Sequence, residues 1–237
     1  MAGYDLHRLY TGSFGTLGPI ATITFKLRPI PEARRIVVLH PVGADDAERM
    51  IATTLAGDTR PTFIELLNAA MAESLELPGR FTLAMGFEEN ADAVRWQTEH
   101  IRGTLGGEIF SDADSLTLYH KLRDATAGVE TTFKATMLSS KVAAFIQRYD
   151  RLPFRMIARA ASGIVFGVLS SPLDETTWQD LLEQAADGQG HLQIRGPLPG
   201  PFINRFGSRR ADGQLSGRIQ KAFDPQGTFA PQRLFGT

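Results

Sequence analysis

GYDLHRLYTGSFGTLGPIATITFKLRP, residues Gly3–Pro29, carries three local signals in succession. Asp5 is placed to cap a short helical turn over residues 5–10, with Leu6, Leu9 and Tyr10 on one side. Gly12, Gly15 and Gly18 then recur as G-x-x-G-x-x-G. After them Ile20, Thr22, Thr24, Lys26 and Arg28 alternate with Ala21, Ile23, Phe25 and Leu27. Period two predicts a half-buried strand. Pro29 and Pro31 end it, because proline donates nothing to a ladder and restricts the residue before it.

The glycine spacing is not G-x-G-x-x-G, and it precedes a strand instead of opening a long helix, so a Rossmann fingerprint is excluded on context. What the glycines offer is a backbone able to take positive φ and approach a flat or phosphorylated ligand. Ser13 and Thr16 add hydroxyl groups, and successive N–H groups can form an anion-binding concavity. The plainer alternative is a turn that only positions the strand after it.

Beyond PIPEA, read as a linker, the order of elements repeats. Residues 35–42 predict a strand, 45–56 a helix, 62–67 and 81–87 two strands, 91–105 a helix, and 108–110 a short closing strand. A helical connector over 113–126 leads into a strand at 129–138, a helix at 139–149, strands at 154–160 and 163–169, a helix at 174–186 and a strand at 191–195. The halves share order without residue identity. Each suits a ferredoxin-like βαββαβ unit. Joined edge to edge, the two give an α+β body: one large antiparallel sheet with helices on one face. Residues 196–212 are rich in Gly, Pro and Arg and read as an excursion, and 214–223 predict a last helix.

Composition narrows the function classes. The chain has 237 residues, 43% hydrophobic and 22% charged, the balance of a folded protein. A net charge of −1 gives no whole-domain field for nucleic acid or an anionic membrane. Arg205, Arg209 and Arg210 form the one basic cluster along the sequence. No apolar run approaches the ~20 residues of a membrane span, and the N-terminus lacks signal-peptide order. A soluble, cytoplasmic protein is expected. With no cysteine, thiol catalysis and cysteine-held metals or clusters are excluded from these residues.

Of the five histidines, none lies three or four residues from another, so no helix-face metal pair exists. His191, entering a strand after Gly188 and Gly190, is the one best placed to touch a ligand, with Arg195 nearby as a carboxylate clamp. A satisfied histidine and a solvated arginine are the alternatives. The carboxylate pairs Asp45–Asp46, Glu88–Glu89 and Asp112/Asp114 sit where helices start or loops turn, and capping accounts for them.

The residues AGYDL, GSFGTLG and KLRPIPE resemble the end of the flavin domain in FAD-linked oxidases of the vanillyl-alcohol-oxidase and p-cresol-methylhydroxylase type. The smaller FAD-binding subunit of bacterial glycolate oxidase is the most similar kind. The C-terminal IQKAFDPQGTFAPQRLF resembles the signature with which such chains return to the flavin domain, and Gly190–His191 resembles a step near the end of their cap. The resemblance implies residues 1–31 as the end of a PCMH-type FAD-binding domain, 32–196 as a cap or substrate domain, and 197–237 as the returning segment. It implies FAD as cofactor, with Gly12, Ser13, Gly15, Thr16, Leu17, Gly18 and Ile20 along its adenine and pyrophosphate side, and Tyr4 and Asp5 near the flavin.

The family's glycine-rich pyrophosphate loop belongs to an earlier part of the flavin domain, which is absent from these residues. The usual Asn-Pro-Gly-Arg close is here Ala230–Pro231–Gln232–Arg233, and Pro19 replaces an aliphatic residue. The implied activity is oxidation of a 2-hydroxy acid such as glycolate by hydride transfer to flavin. A separate FAD subunit and an iron–sulfur subunit are the implied partners. The rival reading is a non-catalytic α+β binding or assembly module that keeps the cap fold and has lost flavin.

Overall fold

A computed structural model describes residues 5–128, 131–152, 154–169, 173–195 and 213–230. The chain divides into two units, Met1–Pro29 with Ser208–Thr237, and Ile30–Gly207. The smaller unit opens with α1 (Leu6–Tyr10). The larger one runs β1 (Ala33–Leu39), α2 (Ala44–Ala56), β2 (Phe63–Leu67), α3 (Ala69–Ser74), β3 (Thr82–Glu89), α4 (Ala91–Leu105) and β4 (Glu108–Ile109). α5 (Asp112–Asp124) connects to β5 (Thr132–Thr136), α6 (Val142–Arg148), β6 (Phe154–Arg159), β7 (Ile164–Leu169), α7 (Glu175–Asp187) and β8 (His191–Arg195). In the smaller unit α8 (Gly213–Phe223) follows.

The eight strands form one sheet in the order β4-β1-β3-β2-β6-β7-β5-β8. Each half has the ferredoxin-like order, and the halves meet where β2 and β6 pair antiparallel, Glu65 opposite Arg159 and Leu67 opposite Ile157. Asn68 fastens this seam. Fully buried, it donates from Nδ2 to the Phe154 carbonyl at 2.7 Å, while its Oδ1 accepts from the N–H groups of Met156 and Met71 at 2.9 and 3.0 Å.

Period two in the strands and period 3.6 in the helices decide what each face buries. Val37, Leu39, Leu83, Met85, Phe133, Met156, Val165 and Ile194 point to one face, where α2, α4, α6 and α7 supply Met50, Val94, Ile146 and Trp178. A large apolar side chain buried there contributes about 1.5–3 kcal/mol. Asn90, Ser111 and Asp174 cap their helices by accepting from the N–H groups of Ala93, Asp114 and Thr177, whereas Asp5 makes no side-chain cap bond and α2 begins from Gly43, with Asp45 inside its first turn.

The opposite face differs between halves. Ile36, Val38, Leu67 and Ala84 are covered by Met71 and Ala72 of α3 and by Leu118 and Leu122 of α5. So the four repeat helices share one face, as expected, and the connector and α3 take the other. α3 is absent from the sequence reading. Its signals, an Asn68 cap followed by Ala-Ala-Met-Ala-Glu-Ser, are ordinary helix chemistry compressed between two strands.

The strand expected over residues 20–28 does not form: the segment carries no regular secondary structure, and Ile23, Phe25 and Leu27 are exposed. Alternation specifies which side chains share a face, but a strand also needs a neighbour's hydrogen bonds, and none pairs with it among the described residues. Within the smaller unit Tyr10 packs edge-on against Phe223 of α8, ring centroids 5.9 Å apart. Asp224 accepts from the N–H groups of Thr228 and Phe229 and closes the turn after that helix. No described helix is long and apolar enough to cross a membrane.

Candidate functional site

The glycine-spaced loop adopts the backbone that its composition suggests. Gly12, Gly15 and Gly18 have φ of +85°, +75° and +148°. The Ser13 and Thr16 N–H groups bond the Tyr10 and Ser13 carbonyls, each at 3.1 Å, making two successive tight turns. Thr16 and Leu17 are buried, whereas Asp5, Gly12, Gly15 and Ile20 are exposed and Ser13 and Gly18 lie between. The Thr16 hydroxyl donates to the Ser13 carbonyl at 2.6 Å, so this residue shapes the loop from inside and its hydroxyl is already engaged. A Cβ on Gly12 or Gly15 would meet no atom within 4 Å. The loop therefore fits a close backbone approach by a flat or phosphorylated group, and positive φ keeps side chains off it. Asp5 forms a 3.6 Å ion pair with Arg8, both exposed. Tyr4, Arg205, Arg209, Arg210 and the closing residues 231–235 lie outside the described residues.

The larger unit gathers its chemistry on the second sheet face. α3 lies over β6 and β2, and α5 over β1, which leaves the strip of β7, β5 and β8 without a described helix of its own. Register fixes what stands there. One row crosses the strands as Glu65, Arg159, Ile164, Thr136 and His191. The next runs Leu67, Ile157, Phe166, Lys134 and Gln193, and a third runs Arg155, Val168, Thr132 and Arg195. Four cations thus share a strip roughly 15 Å wide, at ~4.8 Å per strand spacing. Among the described residues none of them has a carboxylate within ion-pair distance, although Arg34, Arg35, Arg148 and Lys121 elsewhere all do.

Electrostatics on this strip follow from that imbalance. Burial lowers the Lys134 pKa, and Arg195 and Arg159 lower it further. Arg159 also lies over the Phe166 ring, 5.6 Å from its centroid. Glu65 is the one carboxyl on the rows. Burial pushes its pKa up to about 7, against the opposing pull of Arg159.

His191 is held firmly. Thr136 Oγ1 lies 2.6 Å from its Nδ1 and accepts from its backbone N–H at 3.2 Å. A Cβ on the preceding Gly190 would sit 1.6 Å from the Thr136 carbonyl oxygen, so only glycine lets the strand start where it does. The structure therefore brings His191 and Arg195 onto one face, two rows apart. Lys134, Arg155, Arg159 and Glu65 join them, none of which stands out in sequence. Their only signal there is the polar half of an alternating strand.

Other features stay separate from this strip. A cavity of about 400 Å³ is lined by His40, Arg80 and Glu108 among apolar side chains. His40 Nδ1 lies 3.2 Å from Thr82 Oγ1, and burial, with Arg80 second, lowers its pKa. His100 stacks on Trp96, and His120 meets Tyr119 edge-on. Among the described residues no group of three metal-ligating side chains occurs.

No protein-family model matches the chain. Over 77 residues it is 39% identical to the mitochondrial D-lactate dehydrogenase (cytochrome) of Arabidopsis thaliana, a match covering 32% of this chain and 13% of that protein. Over 68 residues it is 35% identical to the glycolate oxidase subunit GlcD of Bacillus subtilis (strain 168), covering 29% of this chain and 14% of that one. Among solved structures, an alkyldihydroxyacetonephosphate synthase aligns over 98% of this chain and 50% of its own, with a TM-score of 0.51 and 12% identity. A xylooligosaccharide oxidase from Myceliophthora thermophila C1 in complex with xylobiose aligns over 89% and 57%, with a TM-score of 0.50 and 11% identity. The chain spans about half the length of these structures and matches a smaller share of its sequence relatives. At such identity the structural likeness speaks for the fold. Together with the sequence matches, it makes the chain similar to the C-terminal part of FAD-linked oxidases.

Proposed function

We propose that this chain is the C-terminal portion of an FAD-dependent oxidoreductase that oxidises a 2-hydroxy acid of the glycolate or lactate kind. The observation that carries the reading is the strip of Lys134, Arg155, Arg159 and Arg195 with no carboxylate partner among the described residues. A small carboxylate is the ligand such a strip accommodates, and a guanidinium fork meets it bidentately. Sequence similarity to a D-lactate dehydrogenase and to a glycolate oxidase subunit supports the same substrate class.

The residues divide the work. Lys134 and Arg159 take the carboxylate, Phe166 and Ile157 supply an apolar floor beside it, and His191, oriented by Thr136, holds a proton position near the substrate hydroxyl. Bound FAD would supply the hydride acceptor. The loop of Gly12, Ser13, Gly15, Thr16, Leu17, Gly18 and Ile20 would line its adenine and pyrophosphate side largely through backbone groups, those other than the Ser13 and Thr16 N–H groups already bonded within the loop. Tyr4 and Asp5 would stand toward the flavin. Any cysteine-held iron–sulfur cluster that receives the electrons has to be held outside these residues, since they include no cysteine.

The absorbance spectrum of the purified chain, before and after added FAD and gel filtration, tests the cofactor. Flavin bands that travel with the protein, and vanish in Gly15→Val, are expected. A chain that stays colourless, or a Gly15→Val variant that holds flavin equally well, overturns flavin binding by this loop and leaves the non-catalytic module as the reading.

A further inference from the structure

Glu65 has no structural employment. It stands in the middle of β2 on the face shared with the cations, directly across from Arg159 on β6. Its other cross-strand neighbour is Ala84, which offers no polar group. Along its own strand the same-face neighbours are Phe63, packed on Tyr119, and Leu67, packed under α3. Among the described residues its carboxyl makes no hydrogen bond and no ion pair. No fully buried side-chain oxygen among the described residues lacks a partner, so both Glu65 oxygens keep some contact with solvent. The side chain is half-buried and stands on the seam between β2 and β6, at the edge of the cationic strip.

A glutamate there costs stability and returns none through contacts, since burying a carboxylate without a partner is unfavourable. Glutamine would fill the same space without a charge to desolvate. The cations beside it do not neutralise it either: Arg159 is the charged group that acts on it, and it is outweighed by burial. The position makes sense when a small anion occupies the strip. A carboxylate drawn in by Lys134 and Arg159 would be repelled by an ionised Glu65 but would accept a hydrogen bond from a protonated one.

We propose that Glu65 is a proton-coupled ligand contact: in its protonated form it donates a hydrogen bond to the carboxylate bound on the strip, so that binding takes up a proton. This rests on the reading of the strip as a carboxylate site and adds to it a specific donor and a pH gate. The proton comes from solvent, adds to one Glu65 carboxyl oxygen as the anion binds, and returns to solvent when the anion leaves. Affinity therefore falls as pH rises through the neutral range. The burial that holds the Glu65 proton near neutrality is what makes this gate work at ordinary pH. The other titratable groups facing the strip among the described residues are Arg155, Arg159, Lys134, Arg195 and His191. Of these, His191 is the one whose ordinary range overlaps the same window, and a histidine control is needed.

The test is calorimetric titration of oxalate into the full chain between pH 5.5 and 8.5, in two buffers of different ionisation heat. Wild type is expected to lose affinity by about tenfold per pH unit above neutrality, with uptake of up to one proton per anion. Glu65→Gln is expected to bind at pH 5.5 within a few fold of wild type, to lose the pH step and to take up no proton. His191→Gln is expected to keep both. A step that persists in Glu65→Gln, or moves instead with His191→Gln, overturns the role of Glu65 while leaving the carboxylate site intact. Should Glu65→Gln fail to fold, absence of proton uptake by wild type alone overturns the proposal. No oxalate binding at any pH overturns the carboxylate site itself, and this inference with it.

Discussion

A carboxyl that loses water on folding and gains no hydrogen bond leaves a signature in stability as well as in binding. The Glu65 pKa rises from an ordinary 4.5 to about 7, with burial as the first cause. Below pH 4.5 the group is protonated in both states and contributes nothing. Between 4.5 and about 7 the folded state holds a proton that the unfolded chain has released, so its contribution to stability falls as pH rises. Above about 7 the full cost is present. At ~1.4 kcal/mol per unit it reaches at most about 3.5 kcal/mol, less in practice because the carboxyl keeps some contact with solvent. Urea unfolding of Glu65→Gln is therefore expected to show a gain over wild type that is larger at pH 8 than at pH 5. An equal difference at both values would mean that the charge is not what burial penalises. Sequence gave no hint of this. TFIELL reads as a strand with one polar residue on its alternate face, and only the pairing with β6 reveals which charge stands opposite. His191 and Arg195 were legible because a glycine-flanked histidine entering a strand is a local pattern. Lys134, Arg155 and Arg159 were not, because each is locally just the polar side of a strand.

At the scale of elements, the seam between β2 and β6 depends on one side chain. Asn68 caps α3 and also satisfies the backbone of β6, three hydrogen bonds from a fully buried amide. Removing it leaves the Phe154 carbonyl and two N–H groups without those partners, and each unsatisfied buried group costs about 1–3 kcal/mol. Asn68→Ala is expected to lower stability by roughly 3 kcal/mol or more. Asn68→Asp should recover the two bonds to Oδ1 but not the donation to Phe154. Denaturant midpoints of the three proteins measure this order, and an alanine variant as stable as wild type would remove Asn68 from the seam. The same region marks the limits of reading elements from periodicity. The α4 and β8 boundaries match the sequence reading because capping residues and glycines bracket them. α3 is a single short turn wedged between strands, below the length at which a 3.6 period declares itself. Residues 20–28 fail for the opposite reason: their alternation is clear, but pairing is a property of a neighbour and not of the segment.

For the whole molecule, two repeats of the same order joined edge to edge make a sheet wide enough to have two different surfaces. One is sealed by four helices and is core. On the other, the described helices cover only β1, β3, β2 and β6, and the strands beyond them carry polar side chains, of which Thr132 and Gln193 are buried. That asymmetry creates the strip: among the described helices α5 covers β1 and α3 covers the seam strands β6 and β2, and none covers β7, β5 and β8. If the strip is where an anion binds, affinity should depend on its cations and not on cations in general. Lys134→Gln and Arg159→Gln are each expected to weaken oxalate binding about tenfold or more, since a charge-assisted hydrogen bond contributes about 1.5–3 kcal/mol and 1.4 kcal/mol is a factor of ten. Arg95→Gln is the matched control, because Arg95 is an exposed residue of α4 already paired with Asp92 at 2.7 Å. It should leave binding unchanged at any ionic strength. Raising salt should weaken wild type more than either strip variant, because each variant has already lost part of the electrostatic attraction. Equal losses from all three substitutions would mean that oxalate responds only to net charge. In that case the strip is a solvated surface, and the asymmetry of the sheet needs another explanation.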